Sequence, residues 1–255
     1  MTHRLNGRTA LVTGSTSNIG RAIATALAAE GAHVIVSGRD AGRGEEVVRE
    51  IRESGGRADF AQAELDGSPE QSRELAERAL TLLGGRLDIL VNNAGVYPPH
   101  TTLSADGDLF DRIFGVNVKA PFFLMQAVTP SMIAAGGGAV INLGSWITTR
   151  GVASSPLYSA SKGAVETLTR AWAAEFGARG VRVNAISPGV IRPPEIGPDA
   201  VFPGEVLMAG SPAGAAGHPD AIAAAAVYLA SDDAAFVHGT VLDVDGGRLS
   251  VHAAA

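Results

Sequence analysis

Ala10-Leu11-Val12-Thr13-Gly14-Ser15-Thr16-Ser17-Asn18-Ile19-Gly20-Arg21-Ala22-Ile23 sets a short apolar run against a loop of glycines and small hydroxyl residues, and then opens a helical pattern. The run at 10–13 has the length and composition of a strand, and 19–29 has the length and apolar spacing of a helix. Glycine at 14 and 20 permits a tight turn and a close approach to the backbone. Free N–H groups at the start of the helix attract negative charge, above all phosphate. Strand, glycine turn and helix in this order therefore predict a phosphate cradle over 14–20. The same turn also serves as a plain connection, and its spacing departs from the strict G-x-G-x-x-G pattern.

The alternation continues outward. Strands are expected at 10–13, 33–37, 58–62, 89–92, 140–143, 181–186 and 241–244, with helices such as 19–29, 41–53 and 69–83 between them. Strands separated by helix-length segments build βαβ units, and those build a mostly parallel sheet covered on both faces. The expectation is one α/β domain, 1–255, doubly wound, with a sheet of seven strands and ligands beyond their carboxyl ends. At 255 residues and 46% hydrophobic content there is material for a sizeable core, and no linker or charge run divides the chain. Zero cysteines exclude disulfides, thiolate catalysis and cysteine metal sites, and no metal is expected. A net charge of -6 without clustered Lys or Arg argues against a nucleic-acid partner. The longest apolar run, 221–230, has about half the length a bilayer demands, and no signal-like segment precedes the first strand. The expectation is a soluble cytoplasmic protein with no membrane partner.

The second strand runs into Ser37-Gly38-Arg39. A carboxylate at this point would bind ribose hydroxyls and repel a 2′-phosphate, and there is none. Arg39 offers a planar fork to such a phosphate, or else stands exposed at the opening of the next helix. With this the loop at 13–20 resembles the T-G-x-x-x-G-x-G loop of the short-chain dehydrogenase/reductase family. Asn18 stands where that family has its middle glycine, and asparagine tolerates positive φ better than most residues. The resemblance extends over essentially the whole chain. It includes Glu64-Leu65, with Glu64 in place of an Asp, and Asn92-Asn93-Ala94-Gly95, which reproduces N-N-A-G. It continues through Asn117, Ser145, Tyr158 and Lys162 to the Pro188-Gly189-Val190-Ile191 segment, where Pro193 replaces a customary Thr.

The resemblance implies a Rossmann-type fold that binds NADP(H) by preference, with NAD(H) as the second candidate. Gly14, Ser15, Thr16, Ser17, Asn18, Ile19 and Gly20 would hold the pyrophosphate, Ser37 and Arg39 the adenosine ribose, and Glu64 and Leu65 would flank the adenine. Asn93, Ala94 and Gly95 would pass close to the cofactor, Asn92 would brace loops, and residues 188–191 would lie beside the nicotinamide.

Tyr158 and Lys162, four residues apart, share one helix face, a spacing that also occurs on many helices without chemical meaning. A free tyrosine has a pKa of about 10, so roughly one in a thousand is ionised at pH 7. One positive charge at about 4 Å, at an effective dielectric near 20, is worth about 4 kcal/mol and would bring the phenol toward neutrality. Tyr158 is thus the expected proton donor, with Ser145, thirteen residues earlier, hydrogen-bonding the same substrate oxygen. Lys162 would bind the nicotinamide ribose and keep positive charge by the phenol, and Asn117 would complete a water relay to it.

Residues 194–218 form the expected substrate loop, with Phe202, Val206, Leu207 and Met208 as its apolar content. It serves as a mobile lid or as a packed surface loop. Tyr97 and Trp146 either wall the pocket or pack beside it. With no evident fixed cation, the expected substrate is a small neutral carbonyl compound or secondary alcohol. A carrier-bound 3-oxoacyl substrate is the alternative, disfavoured because no Lys or Arg lies between Lys119 and Arg150. Three residues between Tyr and Lys, rather than the six of enoyl reductases, point to carbonyl chemistry. A nucleotide-binding regulator without turnover is the rival of another class, and it has no use for a proton donor. Relatives are often homotetramers, so a homo-oligomer, tetramer or dimer, is expected, joined through helices at about 106–134 and 156–179 and the last strand.

Overall fold

Seven short strands, apolar through their centres, lie side by side: β1 (Thr9–Val12), β2 (His33–Gly38), β3 (Arg57–Gln62), β4 (Ile89–Asn92), β5 (Gly138–Leu143), β6 (Val181–Pro188) and β7 (Val241–Val244). The computed structural model describes residues 3–197 and 200–251. All neighbours pair in parallel, in the order β3-β2-β1-β4-β5-β6-β7. The order reverses between β1 and β4, the crevice where doubly wound sheets bind ligands.

Alternate strand residues fill two layers. Val12, Val34, Val36 and Val91 pack on one face with Ile23, Leu27, Ile222 and Val227. Leu11, Ile35, Leu90 and Val140 pack on the other with Leu75, Leu124, Met132 and Trp172. The first face carries α1 (Asn18–Ala29), α2 (Ala41–Glu53) and α7 (Pro219–Ala230); the second carries α3 (Pro69–Leu82), α5 (Ala120–Ala134) and α6 (Pro156–Phe176). Burial on both faces explains the continuous apolar strands. The run 221–230 belongs to α7, which packs on α1 with Ile222, Ala226 and Val227 buried. Among the described residues no helix is long and apolar enough to cross a membrane, and no side-chain group could hold a metal ion.

The single helix expected at 106–134 is three pieces. Asp106 caps α4 (Gly107–Phe114) by accepting from the Leu109 N–H, a π-turn covers Gly115–Lys119, and α5 follows. Pro121 has no N–H to give the Asn117 carbonyl, so an α-helical bond fails there and the chain takes the wider turn. The helix expected to end at 179 ends at Phe176 and tightens into a 3₁₀ turn, Gly177–Arg179. Of the loop 194–218, residues 198 and 199 lie outside the described residues; a 3₁₀ turn, Pro203–Met208, forms its centre.

Candidate active site

A cavity of 1040 Å³ opens at the carboxyl ends of the strands. Its volume suits a dinucleotide together with a small second molecule. One end is lined by Gly14, Thr16, Ser17, Asn18, Ile19 and Gly20, at the start of α1. Asn18 has φ = +45°, so asparagine fills the turn in the conformation expected of it. A Cβ on Gly20 would collide with the Gly14 carbonyl and the Asn93 side chain. Ser17 makes no side-chain capping bond, and the Asn18 Oδ1 is buried without a partner. Such a cradle of backbone and unpaired polar atoms fits a pyrophosphate. Ser15 does not line it: its Oγ donates to the Val12 carbonyl (2.6 Å) and accepts from the Ser37 N–H (2.9 Å), tying β1 to β2. Asn93 braces the turn by donating from Nδ2 to the carbonyls of Thr13 and Gly14, both at 2.9 Å. Asn92 and Asn142 form a buried bridge that continues to Thr169 of α6.

Beyond the cradle, Ser37, Arg39, Glu64 and Leu65, the residues expected at the adenosine, line the cavity, joined by Asp66, Asp111, Arg112 and Val116. These last four escaped the sequence reading; Asp111 and Arg112 come from α4 and Val116 from the π-turn that follows it. Arg39 and Glu64 pair at 3.7 Å. Asn93, Ala94 and Gly95 line the middle, and residues 188–191 line the other side.

At the far end Ser145, at the close of β5, and Tyr158 and Lys162, on α6, meet along the same wall. The Ser145 side chain lies near enough to the Tyr158 phenol to favour its ionised form, while the Ser145 hydroxyl accepts from the Ile147 N–H at 3.4 Å. The Lys162 ammonium lies 5.8 Å from the Tyr158 ring centroid and donates to the Leu143 carbonyl at 2.7 Å. Asn117, on the π-turn, does not line the cavity. It accepts from the Val96 N–H (2.8 Å) and donates to the Val96 carbonyl (3.1 Å) and the Ser161 hydroxyl (3.0 Å). Tyr97 and Trp146 both line the cavity, and the Tyr97 and Tyr158 ring centroids are 4.4 Å apart.

The family model described as Enoyl-(Acyl carrier protein) reductase matches residues 14–248. The chain belongs to the short-chain dehydrogenases/reductases. It is 40% identical over 249 residues to a D-threitol dehydrogenase of Mycolicibacterium smegmatis, covering 96% of this chain and 94% of the relative. It is 37% identical over 246 residues to a cyclopentanol dehydrogenase of a Comamonas species, covering 96% and 98%. Among solved structures, a blue fluorescent protein from a metagenomic library, in complex with NADPH, superposes with a TM-score of 0.89 at 36% identity, covering 97% of this chain and 100% of the other. This short-chain dehydrogenase/reductase is therefore an oxidoreductase of alcohols and carbonyls from a family that binds NAD(P)(H).

The electrostatics of the dehydrogenase/reductase correct one expectation. Burial pushes the Tyr158 phenol up to about 12, against the lowering effect of the Ser145 hydrogen bond. In this state the phenol is set by its burial rather than by the lysine, whose ammonium donates to the Leu143 carbonyl. Burial likewise pushes Lys162 down to about 8, opposed by the charge of Glu166. The substrate loop is also divided. Phe202, Gly204 and Leu207 line the cavity, Val206 is exposed, and Met208 is buried, with Gly246 close by. Arg192 fastens the loop through Glu205 at 2.9 Å. Behind this wall Arg248 stacks on Trp146 at 4.1 Å without lining the cavity.

His100 is a further residue that the sequence did not reveal. The α6 N-cap, Ser155, has φ = +51° and offers no side-chain cap. His100 supplies one from the loop after β4: its Nε2 accepts from the Leu157 N–H at 3.2 Å, while Nδ1 lies 2.9 Å from the Pro98 carbonyl. These partners assign the neutral Nδ1–H tautomer.

Proposed function

We propose that this chain interconverts a small neutral secondary alcohol and its ketone with NADP(H), using Tyr158 as the acid/base. The observation that carries this is the convergence of the Ser145 and Tyr158 hydroxyls on one cavity wall, with the Lys162 ammonium behind them. A cofactor lying from the α1 cradle to residues 188–191 would bring its nicotinamide to this wall, where it supplies or accepts the hydride. In reduction the substrate oxygen takes a proton from Tyr158; in oxidation the hydroxyl proton returns to it. Ser145 holds that oxygen and stabilises the charge that develops on it. A phenol pushed up to about 12 is fully protonated at neutral pH, the form that reduction needs.

The substrate end is walled by Val96, Tyr97, Trp146, Ile147, Phe202 and Leu207, none of them charged. Such a wall favours an apolar ring or short chain over a polyol, in keeping with the cyclopentanol dehydrogenase name of one relative. Tyr158→Phe should lower turnover of cyclic and short-chain secondary alcohols by at least a thousandfold while the protein still binds the cofactor. Activity within tenfold of the unaltered enzyme would overturn the role of Tyr158.

Preference for NADP(H) is supported by Arg39 and by the absence of a carboxylate at Gly38. Glu64 competes for Arg39, but an ion pair this exposed is weak and yields to a phosphate. Arg39→Ala should weaken NADPH binding about ten- to a hundredfold and NADH binding much less. Equal losses in titrations with the two cofactors would remove the assignment.

A further inference from the structure

Glu166 lies one turn beyond Lys162 on the face of α6 that carries Tyr158. It is nine-tenths buried. Both its carboxyl oxygens accept from the Thr148 hydroxyl, at 3.1 and 3.0 Å, and Oε1 also accepts from the Ser145 N–H at 3.4 Å. Gly144 backs onto it so closely that a Cβ there would stand 2.6 Å from Oε1. A buried carboxyl on the catalytic helix thus grips the backbone of the serine that faces the tyrosine.

We propose that Glu166 is a positioning residue: it fixes the turn 145–148 on α6 and, through its charge, holds the proton on Lys162. This rests on the reading of Ser145, Tyr158 and Lys162 as the reaction centre. The charged groups that face the carboxyl are Lys162 and Arg170 from α6 and Asp243 from β7; the segment 144–148 contributes none. Burial pushes the Glu166 carboxyl up, with a smaller push from Asp243, against the bonds from Ser145 and Thr148 and the charge of Arg170, which favour the carboxylate. The effect on Lys162 has one sign: negative charge on Glu166 raises the lysine, against the burial that lowers it.

The chain has only two lysines, Lys119 and Lys162. Protein labelled with carbon-13 at lysine Cε therefore gives two NMR signals, and Lys162→Met assigns them by removing one. The Lys162 midpoint should lie near 8 in the unaltered protein and should fall by about half a pH unit or more in E166Q. Glu166→Met also removes the charge, and whichever of the two folds gives the same readout. E166D keeps the charge but withdraws it from Thr148; its lysine midpoint should stay near that of the unaltered protein, while kcat falls about tenfold with KM changed less than about threefold. A Lys162 titration in E166Q or Glu166→Met that overlays the unaltered protein overturns the proposal. If the unaltered protein oxidises no alcohol, the reaction assignment fails, and the lysine titration still decides what Glu166 does.

Discussion

A lysine enclosed beside a tyrosine costs stability in the state where it is charged. Lys162 is lowered from 10.5 to about 8 by burial, a gap that corresponds to about 3 kcal/mol. Between these values the unfolded chain binds more protons than the folded one, so this group makes stability rise with pH from about 8 to 10.5. Tyr158, raised from 10.0 to about 12, acts in the opposite sense above pH 10. Lys162→Met should therefore raise the Tm at pH 7 and flatten the rise above pH 8, while abolishing turnover. Thermal denaturation across pH 6 to 10 checks this; a lower Tm at pH 7 would show that the loss of the bond to Leu143 outweighs relief of the buried charge. At this scale the sequence announced Ser145, Tyr158 and Lys162 by their spacing. It was silent on Glu166 and His100, because a lone acidic residue on a helix and a lone histidine in a loop take their meaning from partners 18 to 57 positions away.

Elements joined at their ends make the site. The catalytic helix α6 begins at a serine in the left-handed conformation and is capped by a histidine from the loop that carries Tyr97. His100→Ala leaves the Leu157 N–H without its partner, an expected cost of about 1 to 2 kcal/mol by chemical denaturation, and should lower kcat by loosening Tyr158 against Tyr97. Glutamine can accept the same bond, so His100→Gln should restore most of both losses; a glutamine variant as impaired as alanine would assign His100 to packing alone. Most elements were legible from period and punctuation: β4 and α2 fall where the pattern put them, and β6 runs two residues further, into Pro188. The π-turn was not legible, since a helix-period pattern passes through Gly115–Lys119 unbroken and the deciding fact is the N–H that Pro121 lacks.

For the whole molecule, the strand order could not be read from the pattern, which gives a parallel sheet but not which strands are neighbours. The crossover between β1 and β4 then sets the cradle, Asn93 and the catalytic wall around one opening. At the far edge β7 is paired on one side only, and Phe236 beside it is fully exposed, with Tyr228 partly so. The expected homo-oligomer, joined in part through this last strand, would cover the edge with a second copy of the chain, for an open parallel strand and a bare aromatic ring invite association. Light scattering should then give a mass that is a multiple of 26.0 kDa, reduced by Phe236→Asp; a mass of one chain would contradict it.

The contact between Thr16 and Gly38 constrains how this chain could change its cofactor over generations. A Cβ at Gly38 would stand 2.6 Å from the Thr16 methyl and 3.1 Å from its hydroxyl, so the threonine side chain must move to admit one. Aspartate at 38, the step toward an NAD-type ribose site, is therefore coupled to position 16: it is accommodated only as Thr16 turns aside or gives way to a smaller residue.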